Sequence, residues 1–502
     1  MTDETGDDGG FVRPVIHNMN EEEVQARHEA AGADPLEIMA MRLFVQGYEN
    51  RFRFNHTRGK WMEWTGERWK MDETGMARHE MIELVERMRQ ADPQNRRALG
   101  KLSFSGAALG GAQFQPQLAV IQEQFDGDPY LLGTPTGYVD LRTGKHHKPD
   151  RTKMISKSTA VAPDRRKTPK RWIKFIKWAC GGDEELVAYI QKFLGYCLSG
   201  LMKEEIMTFV YGSGGNGKGV MLSVIAHILG DYYVNTPAST FMATNKNEHA
   251  TELARLNGAR LVSASETGED DKWNIPRIKE ITGNENPISA RFMRQDFFEF
   301  WPTCKLLIIG NNKPQIGDVD PAIARRLRLI EFTQRPTVAD ADLKEKMEDE
   351  YDGILGWMVK GFQMYLEEGL KPPANVLKAS TAYLTSQDIV AQFLDEWTEV
   401  KPEGILLKKD ITLAIQLFTK QNGITTKIPA TRVYKKLIEH RGYEDGQTYR
   451  KDRCFKGLRL NDHAWGIIAK QLGISIEADM FRGISQEHQK RNEWANKRVQ
   501  DD

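Results

Sequence analysis

Tyr211-Gly212-Ser213-Gly214-Gly215-Asn216-Gly217-Lys218-Gly219-Val220 is the stretch that decides the fold of this 502-residue chain. An apolar run, Ile206-Met207-Thr208-Phe209-Val210, leads into it. Val220, Val224, Ile225, Ile228 and Leu229 then follow at helical spacing until Gly230. The order is strand, glycine loop, helix, and the loop reads G-x-x-x-x-G-K. Glycines in such a loop turn consecutive backbone N–H groups toward phosphate oxygens, and the lysine adds a point charge. Gly212, Gly214, Gly215, Asn216, Gly217, Lys218 and Gly219 are therefore the candidate nucleotide-binding residues. The position after the lysine ordinarily carries a hydroxyl for Mg²⁺. Here it is Gly219, and Ser223 lies a full helical turn further on.

Downstream the pattern alternates strand and helix to about Phe332, which predicts an α/β core around a mainly parallel sheet. Arg260 to Ser265 reads as a strand that ends at Glu266, a carboxylate placed to order Mg²⁺ and polarise an attacking water. Cys304 to Ile309 reads as a third buried strand, and Asn311 just beyond it offers an amide that could sense a γ-phosphate. A short helix from Asp320 then carries Arg325 and Arg326 into a last strand. Paired arginines there could reach a neighbour's nucleotide and stabilise transition-state charge.

Upstream, residues 1–33 are acidic and polar and read as a tail without the basic-then-apolar order of a secretion signal. Residues 34–165 predict an α+β accessory domain: a helix from Asp34, an aromatic hairpin over Trp61 to Trp69, a glycine-rich loop near Gly106 to Gly111, and a second β passage over Tyr130 to Gly144. Residues 166–205 hold two amphipathic helices, a candidate collar between subunits. The four cysteines are scattered with no CxxC pair, which argues against zinc or a disulfide framework and for a reducing cytoplasm. No apolar run is long enough to span a membrane. Apolar residues at 40% and charged residues at 28% fit a folded chain, and the zero net charge requires any nucleic-acid contact to come from local basic surfaces.

Beyond the core, Leu343, Met347, Tyr351, Leu355, Met358, Phe362, Tyr365 and Leu366 form a helical apolar stripe, a lid that completes a motor over 206–395. Residues 396–461 read as helix, helix, hairpin, the order of a winged helix. Across 427–460 ten Lys and Arg stand against four acids, with Arg432, Lys435 and Lys436 on one helix and Arg450, Lys451 and Arg453 on the wing, a footprint for duplex DNA. Residues 462–502 are a mixed-charge tail.

Taken together, the motifs resemble those of superfamily III helicases of the phage, plasmid and poxvirus primase–helicase group. The match runs through Gly212 to Lys218, Arg260 to Thr267, Lys279 to Glu285 with Ile288 to Arg291, Leu306 to Pro314, and Arg325-Arg326, and extends over about 34–460. The resemblance implies an AAA+-like P-loop core, ATP with Mg²⁺ as cofactors, and a homo-oligomeric ring, commonly hexameric, translocating on single-stranded DNA. It also implies that the hairpin around Arg294 projects into the channel, making Lys279, Arg291 and Arg294 candidates for gripping phosphates. Gly219 and the Thr282-Gly283-Asn284-Glu285 run depart from the common pattern, so direct hydroxyl ligation of Mg²⁺ is not expected. No primase signature precedes the motor, and priming is expected from a separate primase or polymerase. The rival expectation is a weakly hydrolysing, nucleotide-bound scaffold or origin-binding ring.

Overall fold

The computed structural model describes residues 34–243, 250–265, 268, 271–293, 296–316, 319–338, 340–424, 428–448 and 451–471. Over these described residues the chain forms two compact units, one from 34–315 with 320–380 and one from 316–319 with 381–471. The division falls ahead of the boundary expected at 396.

The first unit is built on a five-stranded parallel sheet. In chain order its strands are β8 (Met207–Tyr211), β9 (Tyr233–Asn235), β10 (Leu261–Ser265), β13 (Lys305–Gly310) and β14 (Leu327–Glu331), and in space they run β14-β8-β13-β10-β9. β13 is buried along its whole length and β8 along all but its last residue, as a sheet covered on both faces requires. Helix α6 (Lys218–Leu229) starts from Gly217 in the left-handed region (φ +86) and stops at Gly230 (φ +53), the two positions where the chain must reverse. Between β10 and β13 lie α7 (Ile275–Thr282) and an antiparallel hairpin, β11 (Ile288–Ala290) with β12 (Phe298–Phe300); a short helix, α8 (Pro321–Arg326), precedes β14.

Ahead of the sheet run α4 (Lys170–Ala179) and α5 (Glu184–Tyr196), and behind it α9 (Tyr351–Glu368). Asp183 caps α5 by accepting from the Leu186 N–H at 3.0 Å. α5 and α9 cross in backbone contact. A Cβ on Gly195 would lie 2.2 Å from the Phe362 nitrogen, and one on Gly361 would lie 2.1 Å from the Gln191 carbonyl oxygen. Trp172, Tyr189, Phe193, Ile354, Met358 and Phe362 fill the core around that crossing, each large side chain contributing about 2 kcal/mol through burial. The stripe read as a lid is thus largely the inner face of α9.

The accessory region has α1 (Leu36–Tyr48), a sheet of order β3-β2-β1-β4 from β1 (Phe52–Asn55), β2 (Lys60–Trp64), β3 (Trp69–Met71) and β4 (Ala119–Val120), and helices α2 (Met76–Ala91) and α3 (Leu102–Ala112). Phe52 and Trp69 are fully buried, so the aromatic hairpin is core. The glycine-rich stretch at 106–111 is helix and not loop. Gly111 lets α3 pack on α1, where a Cβ would stand 3.0 Å from the Met41 sulfur. β5 (Leu131–Thr134), β6 (Gly137–Asp140) and β7 (Lys145–His147) form a separate meander.

α10 (Ala374–Gln387) carries the chain into the second unit. There α11 (Ile389–Trp397), β15 (Thr398–Leu407), α12 (Lys408–Gln421), α13 (Ala430–Arg441), β16 (Asp445–Gln447), β17 (Arg453–Leu460) and α14 (Asp462–Gln471) surround a core of Phe393, Trp397, Ile415, Phe418, Leu437 and Phe455. The sheet order is β15-β17-β16. β15 was not expected; Lys401 with the exposed Pro402-Glu403 interrupts the apolar alternation that would have announced it. Among the described residues no helix is long and apolar enough to cross a membrane.

Candidate functional site

The phosphate loop closes on itself through its own side chains. Gly214 (φ +91), Gly215 (φ +66) and Gly217 (φ +86) occupy the left-handed region, which curls the backbone around the start of α6. Lys218, almost wholly buried, donates to the Gly212 carbonyl at 2.7 Å, the Asn216 side-chain oxygen at 2.9 Å and the Asn311 side-chain oxygen at 3.0 Å. Burial lowers its pKa. Asn216 also donates to the Phe332 carbonyl at 2.6 Å, so the loop is tied to the chain just past β14. Gly212 is obligatory for this arrangement, since a Cβ there would lie 1.9 Å from the Asn216 amide nitrogen.

Strand register brings the remaining motifs to the same edge. Ser265 pairs with Ile309, and Gly310 pairs with Tyr211, so the carboxyl ends of β10, β13 and β8 are level. Asn311 meets Lys218 there. Glu266, read as the metal and water ligand, lies outside the described residues, directly after Ser265. Gly219 is exposed on the first turn of α6, and outside that turn nothing lies within 4 Å of where its Cβ would stand.

The two arginines differ in exposure in the order opposite to that expected from their motif. Arg326 is 4% exposed and held within its own subunit: it pairs with Glu205 at 2.5 Å, donates to the Thr282 hydroxyl at 3.2 Å and to the Ala322 carbonyl at 3.2 Å. Arg325, 60% exposed, touches the same Glu205 at 3.1 Å and is the one on the surface. A helix of six residues ending at Arg326 turns only one of two adjacent side chains inward, and no motif spacing could say which.

Sequence reading overlooked Arg335. Its guanidinium donates to the Ser213 carbonyl at 3.2 Å and hydroxyl at 3.0 Å, at the rim of the loop. Its position just after the last strand was the available signal.

Candidate DNA contacts fare unevenly. Arg291 is exposed, with its guanidinium 4.9 Å from the centre of the Phe297 ring. Met293 and Phe297 beside it are also exposed, and Arg294 lies outside the described residues. Lys279 pairs with Asp320 at 2.5 Å, the carboxylate that also caps α8. An unexpected contact joins the hairpin to the accessory region: Arg58 lies 4.6 Å from the Phe292 ring centre and 5.6 Å from that of Phe298. In the second unit Lys435 is exposed beside Glu439 at 3.8 Å, Lys451 is exposed at φ +66, and Arg432 is half-buried. Lys436 pairs with Asp388, the cap of α11, and Arg453 pairs with Asp445 at 2.5 Å. Arg450 lies outside the described residues. Several of the ten cations counted from sequence thus hold the unit together and do not face outward unpaired.

A cavity of 780 Å³ opens elsewhere, at the carboxyl ends of β9 and β10, lined among others by Asn235, Thr236, Ser239, Arg255, Ser265 and Lys272. β10 is separated from β8 by β13, so this space is distinct from the phosphate loop.

Comparison with known proteins matches residues 41–181 to the family described as "D5 N terminal like" and residues 210–326 to a family of unknown function. The candidate helicase L207/L206 of Acanthamoeba polyphaga mimivirus is 26% identical over 346 residues, 63% of this chain and 35% of that one. The candidate helicase 022R of Frog virus 3 (isolate Goorha) is 28% identical over 263 residues, 47% of this chain and 26% of that one. The candidate primase C962R of African swine fever virus (isolate Tick/Malawi/Lil 20-1/1983) is 24% identical over 259 residues, 49% and 27% of the two chains. This chain therefore spans about a quarter to a third of the length of these curated relatives. In fold it is similar to the apo structure of the NrS-1 C-terminal region (305–718), with a TM-score of 0.50 at 12% identity over 84% of this chain and 99% of that one. The match over 41–181 and the sequence similarity to viral proteins named as helicases and primases together support a D5-like primase–helicase family for this chain.

Proposed function

We propose that this chain is an ATP-driven DNA helicase motor of a virus, phage or mobile element, acting in replication as a homo-oligomeric ring, with an AAA+-like core and a winged-helix-like second unit. The observation that carries the proposal is the meeting of Lys218 with Asn311 across two neighbouring strand ends. A phosphate loop alone implies binding; a loop lysine joined to a strand-end amide is arranged to register whether a γ-phosphate is present.

In this reading the N–H groups from Gly212 to Gly219 and the Lys218 ammonium hold the triphosphate, and ATP with Mg²⁺ supplies the phosphoryl chemistry. Glu266 orders metal and water, Asn311 orients the water, and Arg325 reaches the nucleotide of the adjacent subunit. Arg326 keeps α8 in place through Glu205 and Thr282. The exposed Arg291, with Arg294, grips single-stranded DNA, and Lys435 and Lys451 contact duplex. A separate primase or polymerase is the expected working partner.

The test is DNA-stimulated ATP turnover and fork unwinding by the purified chain and by Lys218→Ala. A wild type inert in both assays rejects the proposal. The competing reading, a ring that holds nucleotide without turning it over, draws on Gly219. It is favoured if ATP drives assembly while turnover stays at the level of Lys218→Ala.

A further inference from the structure

The phosphate loop of this chain is backed by an aromatic wall that no loop motif demands. A Cβ on Gly217 would stand 2.7 Å from the Phe175 ring and 3.3 Å from the Trp178 ring. Both residues are on α4, and their ring centres are 6.2 Å apart. Phe175 is buried in the core, together with Trp172, Ile176 and Ala179. Trp178 sits at the margin of that face and stays half-exposed, so the core accounts for only part of its surface. Trp178 is thus partly open, with its ring 3.3 Å from where a Cβ on loop residue Gly217 would stand, and offers an uncovered aromatic surface close to the phosphate loop.

A polar edge flanks it. The chain leaves α4 through Gly181 (φ +65) and Gly182 (φ +83), and a Cβ on Gly181 would lie 3.0 Å from the Gln334 amide nitrogen. Gln334 immediately precedes Arg335, which is hydrogen-bonded to Ser213 of the loop. The loop rim, the segment after β14 and the turn after α4 therefore converge beside Trp178.

We propose that Trp178 stacks the base of the bound nucleotide and that Gln334 reads its polar edge. This site takes the purine of a nucleoside triphosphate whose phosphates lie on the Gly212–Gly219 loop. The inference rests on the proposed nucleotide-binding role of that loop. It gives the helix pair ahead of the sheet a part in ligand binding, beyond the subunit-collar role that its sequence pattern allowed.

The experiment compares two Mg²⁺-complexed probes, ATP and inorganic tripolyphosphate, by calorimetric titration of the full chain. Tripolyphosphate engages the loop but has no base. Trp178→Ala is expected to weaken ATP binding about tenfold and to leave tripolyphosphate binding unchanged. Trp178→Phe should restore most of the ATP affinity, and Gln334→Ala should narrow the preference for ATP over CTP. Trp178→Phe and Gln334→Ala keep the test decisive if the alanine variant does not fold. Equal loss for both probes, or no loss for either, overturns the base site while leaving the phosphate loop intact. A wild type that binds neither probe rejects the loop reading and the base site with it.

Discussion

The ammonium of Lys218 and the side-chain oxygen of Asn311 are 3.0 Å apart, which joins the loop after β8 to the end of β13. The other two donors of the lysine go to the Gly212 carbonyl and the Asn216 side chain. A phosphate oxygen entering the loop has to replace one of these three acceptors. Asn311 is the one among them outside the loop, so its release or retention is a means of passing the state of the nucleotide to the sheet.

That arrangement separates binding from turnover. Lys218→Ala should abolish nucleotide binding. Asn311→Ala leaves the lysine two acceptors and an intact loop; ATP affinity should change less than about threefold while turnover falls about 100-fold, the usual scale for removing one oriented polar group. Nucleotide titration and steady-state turnover on the two variants check this. An Asn311→Ala protein that loses binding and turnover in equal measure would mark the amide as a structural anchor only.

Arg325 and Arg326 should part company in the same assays. Arg325→Ala removes a surface group and should leave the melting temperature unchanged while lowering turnover. Mixed with Lys218→Ala subunits, it should recover part of that loss, because each variant supplies what the other lacks. Arg326→Ala withdraws a buried cation from Glu205 and Thr282 and should cost on the order of 2 kcal/mol of stability. Thermal melts and mixed-subunit turnover distinguish the two; a stable, inactive Arg326→Ala and an unaffected Arg325→Ala would reverse the assignment.

Gly219 has the space for the hydroxyl that the loop lacks. It is exposed, its φ is not in the left-handed region, and outside its own turn of α6 no atom lies within 4 Å of a Cβ there. Gly219→Ser should fold at least as well, since glycine is the poorer helix former by several tenths of a kcal/mol. Turnover should rise about three- to tenfold, with half-saturation at lower Mg²⁺, as a protein ligand replaces water. A gain far above that range with unchanged assembly would identify the natural chain as a nucleotide-holding scaffold. No change in Mg²⁺ dependence would show that position 219 does not face the metal.

The motor was legible in sequence because its signals are local. A glycine loop needs left-handed φ at fixed positions, and β8, β10 and β13 are short, mainly buried runs rich in apolar residues; both are written in consecutive residues. What escaped depends on residues far apart in the chain. The packing of the helix over 106–111 on α1 depends on the approach of Gly111 to Met41, and the inward turn of Arg326 on its pairing with Glu205. The pairing of Lys436 with Asp388 likewise removes a cation from the surface that composition alone assigns to DNA. Charge counts register residues, whereas recognition depends on which of them remain unpaired after folding.

Lys305 provides a test of the fold independent of any ligand. It opens β13 but is fully buried, donating to the Ser199 carbonyl at 2.5 Å and the Thr303 carbonyl at 3.2 Å, with its ammonium 4.4 Å from the Tyr196 ring centre. Burial pushes its pKa down from 10.5 to about 7. Between those values the unfolded chain keeps a proton that the folded chain has released, so stability from this group rises with pH across that window and the cost of burying the charge is greatest below about 7. Lys305→Met removes the titration while filling the same space. From pH 7.5 to 9.5 the wild type should therefore gain on the order of 2 kcal/mol relative to Lys305→Met. Urea midpoints for both proteins at the two pH values measure it. Parallel pH profiles would mean that the two carbonyls and the Tyr196 ring keep the ammonium charged through the whole range.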